Sequence, residues 1–538
     1  MSFEQFGNVS IFRPSLEVEA FVRDQTRVHL FSRFKSGEYR GAKSANAIIQ
    51  HQMECYDKLL RPLIPKLAGD DGVSFLLFQF DEACRILHGD GILDLQKRER
   101  WMRIEPWLKR AIKFLVELVC METGSPERVR DAKQARLVTE IALVCAESLV
   151  DLAQHSDLIH SVFPDDCIVR IFDNGPIDFE IKIEGKYAGY DRAFSDRVIR
   201  DRNSRTRYVG FPQFDNHTAT HQQYLDEAFN KSFGMNYGEF IACIIAVIND
   251  CQPSLHPKAF PTLFVHRDRV IDELAKSGRS RAAIERALDG FSLTPAKLIA
   301  EGRVVWKPKQ KNRAYRRGFY VLPHKTGAGL AFSRSMAREN LIQLVNWVCY
   351  KQLPTEWETP ETQKALAALS LGAGRWFEDV VCRNLKSLGF IGQRVCKTFG
   401  SGRQVLQIPN SVGEIDFLGY HPQQKILIVA EAKMVMTGLE ARYWRDDVDE
   451  FVNRSGSYAE RFRRKISWVV ENRKTISKTF GLNDIAEIGT AMLTLYPCIA
   501  RIFIYDFPCV SITEFMLDYE RQLKWPYPTE KENRSPSP

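Results

Sequence analysis

The sequence predicts an α/β C-terminal domain after a mainly helical and then mixed α+β N-terminal region. Three observations predict it. Up to about residue 160 apolar residues recur at spacings of three and four, the period of amphipathic helices. From Cys167 onward, period-two alternation enters. Beyond Lys364 the order becomes helix, strands, helix, strands, which is an α/β layout. At 538 residues the chain also exceeds what one hydrophobic core usually holds. The expected divisions are 1–160, 161–352 and 365–525, with a solvated, disordered tail over 526–538.

The elements follow in order. FLLFQFDEACRIL, WLKRAIKFLVELVCMET and ARLVTEIALVCAESLVDLAQ read as helices. CIVRIF and IDFEIKI read as strands about the turn DNGP. Helices return at YLDEAFNKSF and YGEFIACIIAVIND, and Arg279 to Leu298 reads as two short helices around a turn. No internal repeat is visible. The clearest boundary is KQLPTEWETPETQK, Lys351 to Lys364, where prolines and polar residues interrupt a helix ending near Tyr350. Gly372 to Phe390 is then a helix with the stripe Phe377, Val381, Leu385 and Leu388; Glu378 flanks it and Gly389 stops it. EIDFLGY and KILIVAEAK form a hairpin, GSYAERFRRKISWVVENRK a helix, and GTAMLTLY and IARIFIYDF further strands.

Composition narrows the classes. With 44% hydrophobic, 26% charged and 11% aromatic residues, no large part of the chain is expected to be disordered. A net charge of +8 leans towards acidic partners, of which nucleic acid is the commonest. The longest apolar run, Phe240 to Ile248, falls far short of the roughly 20 residues that span a bilayer, so no membrane partner is expected. The N-terminus lacks a basic and then apolar leader. The twelve cysteines are scattered without a CxxC pair, the usage of reduced thiols in an intracellular protein, and a cytoplasmic location is expected.

The hairpin carries the chemistry. If HPQQ is its loop and Tyr420 faces Lys425, Asp416 falls opposite Val429 and Glu414 opposite Glu431. Glu414, Asp416, Glu431 and Lys433 then share one face, with Asp416 and Glu431 diagonal neighbours. Carboxylates this close repel one another unless a cation sits among them. Two carboxylates and a main-chain carbonyl are hard oxygen ligands of the kind Mg²⁺ prefers. A lysine beside them completes a set suited to in-line attack on a phosphodiester. The plainer reading is a wetted strand with a polar side. Against it, ILIVA is apolar on both faces, as an internal strand is, and the upstream helix brings a further acid, Glu378.

This order of residues resembles the PD-(D/E)xK nuclease superfamily, which includes restriction enzymes and Holliday-junction resolvases; the resemblance implies the restriction-endonuclease-like fold, a central mixed sheet flanked by helices. The residues that carry the resemblance are Glu378 on a helix, GEID with Asp416, and EAK with Glu431 and Lys433. It covers roughly 370–515, under a third of the chain, and Ile415 stands where some members have proline. The resemblance implies Mg²⁺, with Mn²⁺ substituting, held by Asp416, Glu431 and the Ala432 carbonyl. It implies Lys433 as the catalytic lysine and Glu378 assisting metal or water; Glu414 is either an extra ligand or an acid one layer further out. The implied activity is a Mg²⁺-dependent nuclease acting on DNA before RNA, and by analogy restriction or anti-phage defence. Two alternatives stay open: a non-catalytic nucleic-acid-binding or assembly protein on a nuclease scaffold, and a sensor whose cleavage awaits a partner. The N-terminal region would then bind a target, a protein partner or a second copy of the chain.

Two basic stretches offer nucleic-acid contacts. Arg461, Arg464 and Lys465 share a helix face after the E-x-K strand. KPKQKNRAYRRGFY supplies Lys307, Lys309, Lys311, Arg313, Arg316 and Arg317 with interleaved aromatics and no acid. RDRNSRTRY, Arg200 to Tyr208, is a weaker patch, and each competes with a plain solvated surface. HRD at His266 to Asp268 lacks every other part of a kinase site, HTATH at His217 to His221 lacks the glutamate of a helical zinc site, and no phosphate-binding glycine loop occurs.

Overall fold

The computed structural model describes residues 3–69, 72–87, 94–122, 127, 129, 131–175, 177–210, 219–250, 263–302, 311–324, 327–400, 405–436, 441–482 and 487–529. The chain is mixed α and β and forms two compact units. One comprises Met1–Lys182 and Asn216–Ala368; the other comprises Ile183–Asp215 and Leu369–Pro538. No single helix among the described residues is long and apolar enough to cross a membrane.

The first unit is built on long helices, including Leu95–Met121 and Ala132–Ser161, where the three-and-four spacing predicts them, and Ala42–Leu60. A three-stranded sheet holds Gly37–Arg40, Cys167–Ile171 and Phe179–Ile183, and a four-stranded sheet is formed by Leu263–His266, Gly327–Phe332, Phe319–His324 and Ser292–Leu293. The sequence places a boundary at 351–364, but this unit continues to Ala368. The reason is Trp357, which is fully buried, donates its indole N–H to the Arg286 carbonyl at 2.9 Å, and meets the rings of Phe229 and Phe240 edge-on. Prolines and polar neighbours disguise this anchor. Trp357→Ala is expected to cost about 3–5 kcal/mol, read as a lowered denaturation midpoint.

The second unit centres on a five-stranded sheet: β1 (Ile391–Val395), β2 (Ile415–His421), β3 (Ile426–Lys433), β4 (Glu487–Thr494) and β5 (Cys509–Ser511), in that spatial order. β1, β2 and β3 pair antiparallel, and β3, β4 and β5 pair parallel, so the sheet is mixed. β3 is the central strand and is buried along ILIVAEA, as its two-sided apolarity predicts. Gly392 and Gly419 meet where β1 and β2 touch; a Cβ on Gly392 would lie 2.5 Å from the Gly419 Cα, so neither position admits a side chain.

Helices cover both faces. α1 (Tyr190–Val209), α2 (Pro360–Ser387), α3 (Tyr458–Glu471) and α4 (Ile512–Gln522) are the main ones. On one face, Phe377, Val380, Val381 and Leu385 of α2 and Phe515 and Met516 of α4 pack on Phe417, Ile428, Ala430 and Leu493. On the other, Ala459, Phe462, Ile466 and Val469 of α3 pack on Leu418, Leu427, Val429 and Met492. Gly389, at φ +91°, ends α2 where its position predicts.

Three expectations are corrected. IARIFIYDF is not a strand: Ile499–Phe503 is a 3₁₀ turn and the last strand is Cys509–Ser511. β4 and β5 run parallel, so the chain between them must cross back before pairing, and its apolar β-branched residues line that crossover. The start of the expected tail is packed, because Tyr527 donates to Asp518 at 3.1 Å and Thr529 is buried; 530–538 lie outside the described residues. The patch RDRNSRTRY is not a free cationic surface. It lies in α1, where Arg197 reaches Glu514, Arg200 reaches Asp518, and Arg207 and Tyr208 reach Glu520, all on α4. Buried Asp201 pairs with Arg205 and accepts from Ser511 at 2.6 Å. The segment Ile183–Asp215 therefore belongs with the C-terminal sheet, although the sequence order assigns it to a middle domain.

Candidate active site

The β2–β3 turn sets the register on which the site depends. Its loop is Pro422 to Lys425, not His421 to Gln424, because Lys425 adopts φ +52° and His421 Nδ1 accepts from the Gln424 N–H at 3.3 Å. The closing pair is therefore His421 with Ile426, and Leu418, not Asp416, lies opposite Val429. This differs from the expected register by two residues. A shift of two keeps every side chain on its expected face, whereas a shift of one would have separated the acids. Continued by one pair, the observed register sets Asp416 directly against Glu431.

Asp416, Glu431 and Lys433 accordingly meet on the α3 side of the sheet, beyond the apolar pairs Leu418 and Val429. Asp416 is 8% exposed and accepts the Ala432 N–H on Oδ2 at 2.8 Å. Burial first, and Glu431 second, push its pKa up to about 7. Glu431 is 4% exposed and both its oxygens are engaged, Oε1 by Lys433 Nζ at 2.7 Å and Oε2 by Lys465 Nζ at 2.6 Å. Burial works against the Lys433 charge, but Glu431 and Asp416 outweigh it and hold its pKa above the ordinary value. Lys433 Nζ also stands 5.1 Å over the Tyr458 ring, and the Arg461 guanidinium stands 4.8 Å over the same ring.

Glu378 comes from α2, which covers the opposite face. Burial raises its pKa, and the charges of Arg394, Glu414, Lys433 and Glu431 all act on it. Its Oε2 is buried and receives no aligned hydrogen bond, although Arg394 Nη1 lies 3.1 Å away. Glu414 precedes β2; it pairs with Arg394 and accepts from Cys396 Sγ at 2.8 Å. The Arg394 hydrogen bond holds its pKa below the ordinary range. Glu414 is therefore neutralised by Arg394.

The donor set suits a hard divalent cation: two carboxylates, the neighbouring Ala432 carbonyl and the half-buried Glu378 carboxylate, which Arg394 faces. Glu378, Asp416 and Glu431 do not all bring an oxygen within 4.8 Å of one another. Glu431 is held instead by Lys433 of its own strand and by Lys465 of α3. Among the described residues only His29, His51 and Glu54 gather that closely. Those histidines stack at 3.9 Å with 16° between planes, and each Nε2 meets the other's main-chain carbonyl. One ion cannot lie in two nearly parallel ring planes, so that trio reads as a packing motif.

Compared with protein-family models, curated proteins and solved structures, the chain has no match. The reading of the site rests on its own geometry.

The basic candidates separate clearly. Lys465 is 7% exposed and belongs to the site, not to a phosphate-facing surface. Arg464 pairs with Glu460 at 3.3 Å, while Arg461 is exposed and makes no ion pair among the described residues. In the first unit, Arg313 is buried against Glu117 at 3.1 Å and Arg317 against Glu356 at 2.8 Å. Lys311 pairs with Glu358, and Arg316 donates to Gln352 at 2.9 Å and covers Trp347. These four, the described members of the run, are internal partners of acids, an amide and an aromatic ring distant in sequence. Lys307, Lys309 and His217 lie outside the described residues, as does the side chain of His221. Arg394 and the site role of Lys465 escape a motif search. The signal for Lys465 is its spacing three residues after Phe462, which places it on the buried stripe of α3.

Proposed function

We propose that the C-terminal unit is a Mg²⁺-dependent nuclease of the PD-(D/E)xK type that hydrolyses phosphodiester bonds, with DNA as its substrate class. The observation that carries this reading is the convergence of Asp416, Glu431 and Lys433 at the end of two central strands. The mixed five-stranded sheet with helices on both faces is consistent with it.

Asp416, Glu431 and the Ala432 carbonyl would hold Mg²⁺, which supplies positive charge to the attacked phosphate and its leaving oxygen. Lys433, oriented by Glu431, places an ammonium where the phosphate gains charge. Exposed Arg461, stacked over the Tyr458 ring that Lys433 Nζ also approaches, is suited to a neighbouring phosphate. Glu378, whose half-buried carboxylate faces Arg394 at 3.1 Å, would support the ion or the attacking water. The first unit would select the target or a partner, and restriction or anti-phage defence is the setting proposed by analogy.

The test is cleavage of linear, nicked, branched and single-stranded DNA and of RNA, with Mg²⁺, with Mn²⁺ and with chelator. Metal-dependent cutting of DNA that disappears in Lys433→Ala, with DNA binding retained, is the expected result. No cutting of any substrate in either metal overturns the reading and leaves a scaffold that binds without chemistry.

A further inference from the structure

We infer that Lys465 is a positioning residue that closes the ion site in the free protein, so that divalent-cation binding is coupled to arrival of a backbone phosphate. This rests on the metal-nuclease reading above. With both acids ionised, the site's four buried or half-buried charges, Asp416, Glu431, Lys433 and Lys465, sum to zero without an ion. Both Glu431 oxygens are bonded to ammonium groups, so Glu431 presents no oxygen without its ammonium bond. A divalent cation entering alone would leave two uncompensated positive charges in a poorly hydrated pocket.

The two lysines are not equivalent. The Lys433 side chain is 22% exposed and ends β3, whereas the Lys465 side chain is 8% exposed and held in the buried stripe of α3. A phosphate approaching from solvent can draw Lys433 from Glu431 Oε1 while Lys465 keeps its bond to Oε2. That exchange frees one carboxylate oxygen, holds the other in place, and brings the negative charge the ion needs. The ligand that opens the site is thus a phosphodiester of the substrate strand, and Lys465 sets how strongly metal and strand depend on one another.

The experiment measures Mn²⁺ binding to the full chain by electron paramagnetic resonance, with and without a nuclease-resistant phosphorothioate oligonucleotide duplex. Wild type should bind Mn²⁺ weakly alone and about tenfold or more tightly with the duplex. Lys465→Gln keeps an N–H donor for Glu431 but removes the charge. It should bind Mn²⁺ alone about tenfold more tightly and lose most of the duplex effect. Lys465→Met provides a second variant, with folding of each checked by its melting transition. Wild-type Mn²⁺ affinity indifferent to the duplex overturns the inference whether or not the variants fold, and so does unchanged Mn²⁺ affinity in a folded variant. If metal-dependent cleavage persists in that case, the nuclease reading stands and only the coupling falls. No Mn²⁺ binding in any state removes both.

Discussion

Asp416→Asn is expected to lower metal-dependent cleavage about a thousandfold while raising the melting temperature of the metal-free protein. The two effects have one cause. Asp416 is buried opposite Glu431, accepts one main-chain N–H and makes no ion pair among the described residues. Glu431 already holds both lysines. Asparagine retains an oxygen for the Ala432 N–H and removes the charge that burial and Glu431 disfavour. It also removes the negative ligand that a cation requires. Melting in chelator should therefore show the variant a few degrees above wild type, and adding Mn²⁺ should stabilise wild type but not the variant. A variant that melts below wild type in chelator would show that the carboxylate is a structural partner and not a ligand held ready.

The difference between what could and could not be read from the sequence follows from the range of the interactions involved. The α2 stripe, the β2–β3 hairpin and the face shared by Asp416, Glu431 and Lys433 are fixed by periodicity, which local sequence carries. The error of two residues in register came from the turn. Lys425 takes a left-handed conformation that no glycine or asparagine announces, yet the period of two left the shared face unchanged. The cations were harder. Arg313 and Glu117 are buried together at a sequence separation of 196, and a run of arginines looks alike whether it faces water or distant acids. The same holds for α1, whose partners on α4 lie more than 300 residues downstream. Lys465 was visible on the helix surface but not its contact with Glu431, because charge at a stripe edge signals solvent more often than a buried partner.

Arg197→Met is expected to destabilise the second unit by about 3 kcal/mol and to do so in a pH-dependent way. Arg197 and Glu514 form a two-bond pair, at 2.5 and 3.0 Å, with side chains 18% and 3% exposed. Glu514 also closes the capping box of α4, accepting the Ser511 N–H at 2.8 Å. Methionine would keep the bulk and leave a buried carboxylate facing only Arg501 at 3.6 Å, which places the cost at the low end for an orphaned charge. Burial alone would raise the Glu514 pKa, but Arg197 outweighs it and holds the carboxyl below its ordinary value of 4.5. A lowered acid pKa gives stability that is fully present above the unfolded value and lost as pH falls through the folded one. The gap in melting temperature between wild type and Arg197→Met should thus be widest near neutrality and shrink below about pH 4.5. Because α1 and α4 both pack beside β5, metal-dependent cleavage should fail in the variant at the temperature where this unit melts, while the first unit's transition stays in place. A variant with unchanged melting at pH 7 would mean that α1 is not a structural part of the C-terminal unit, and the boundary of that unit would return to the start of α2.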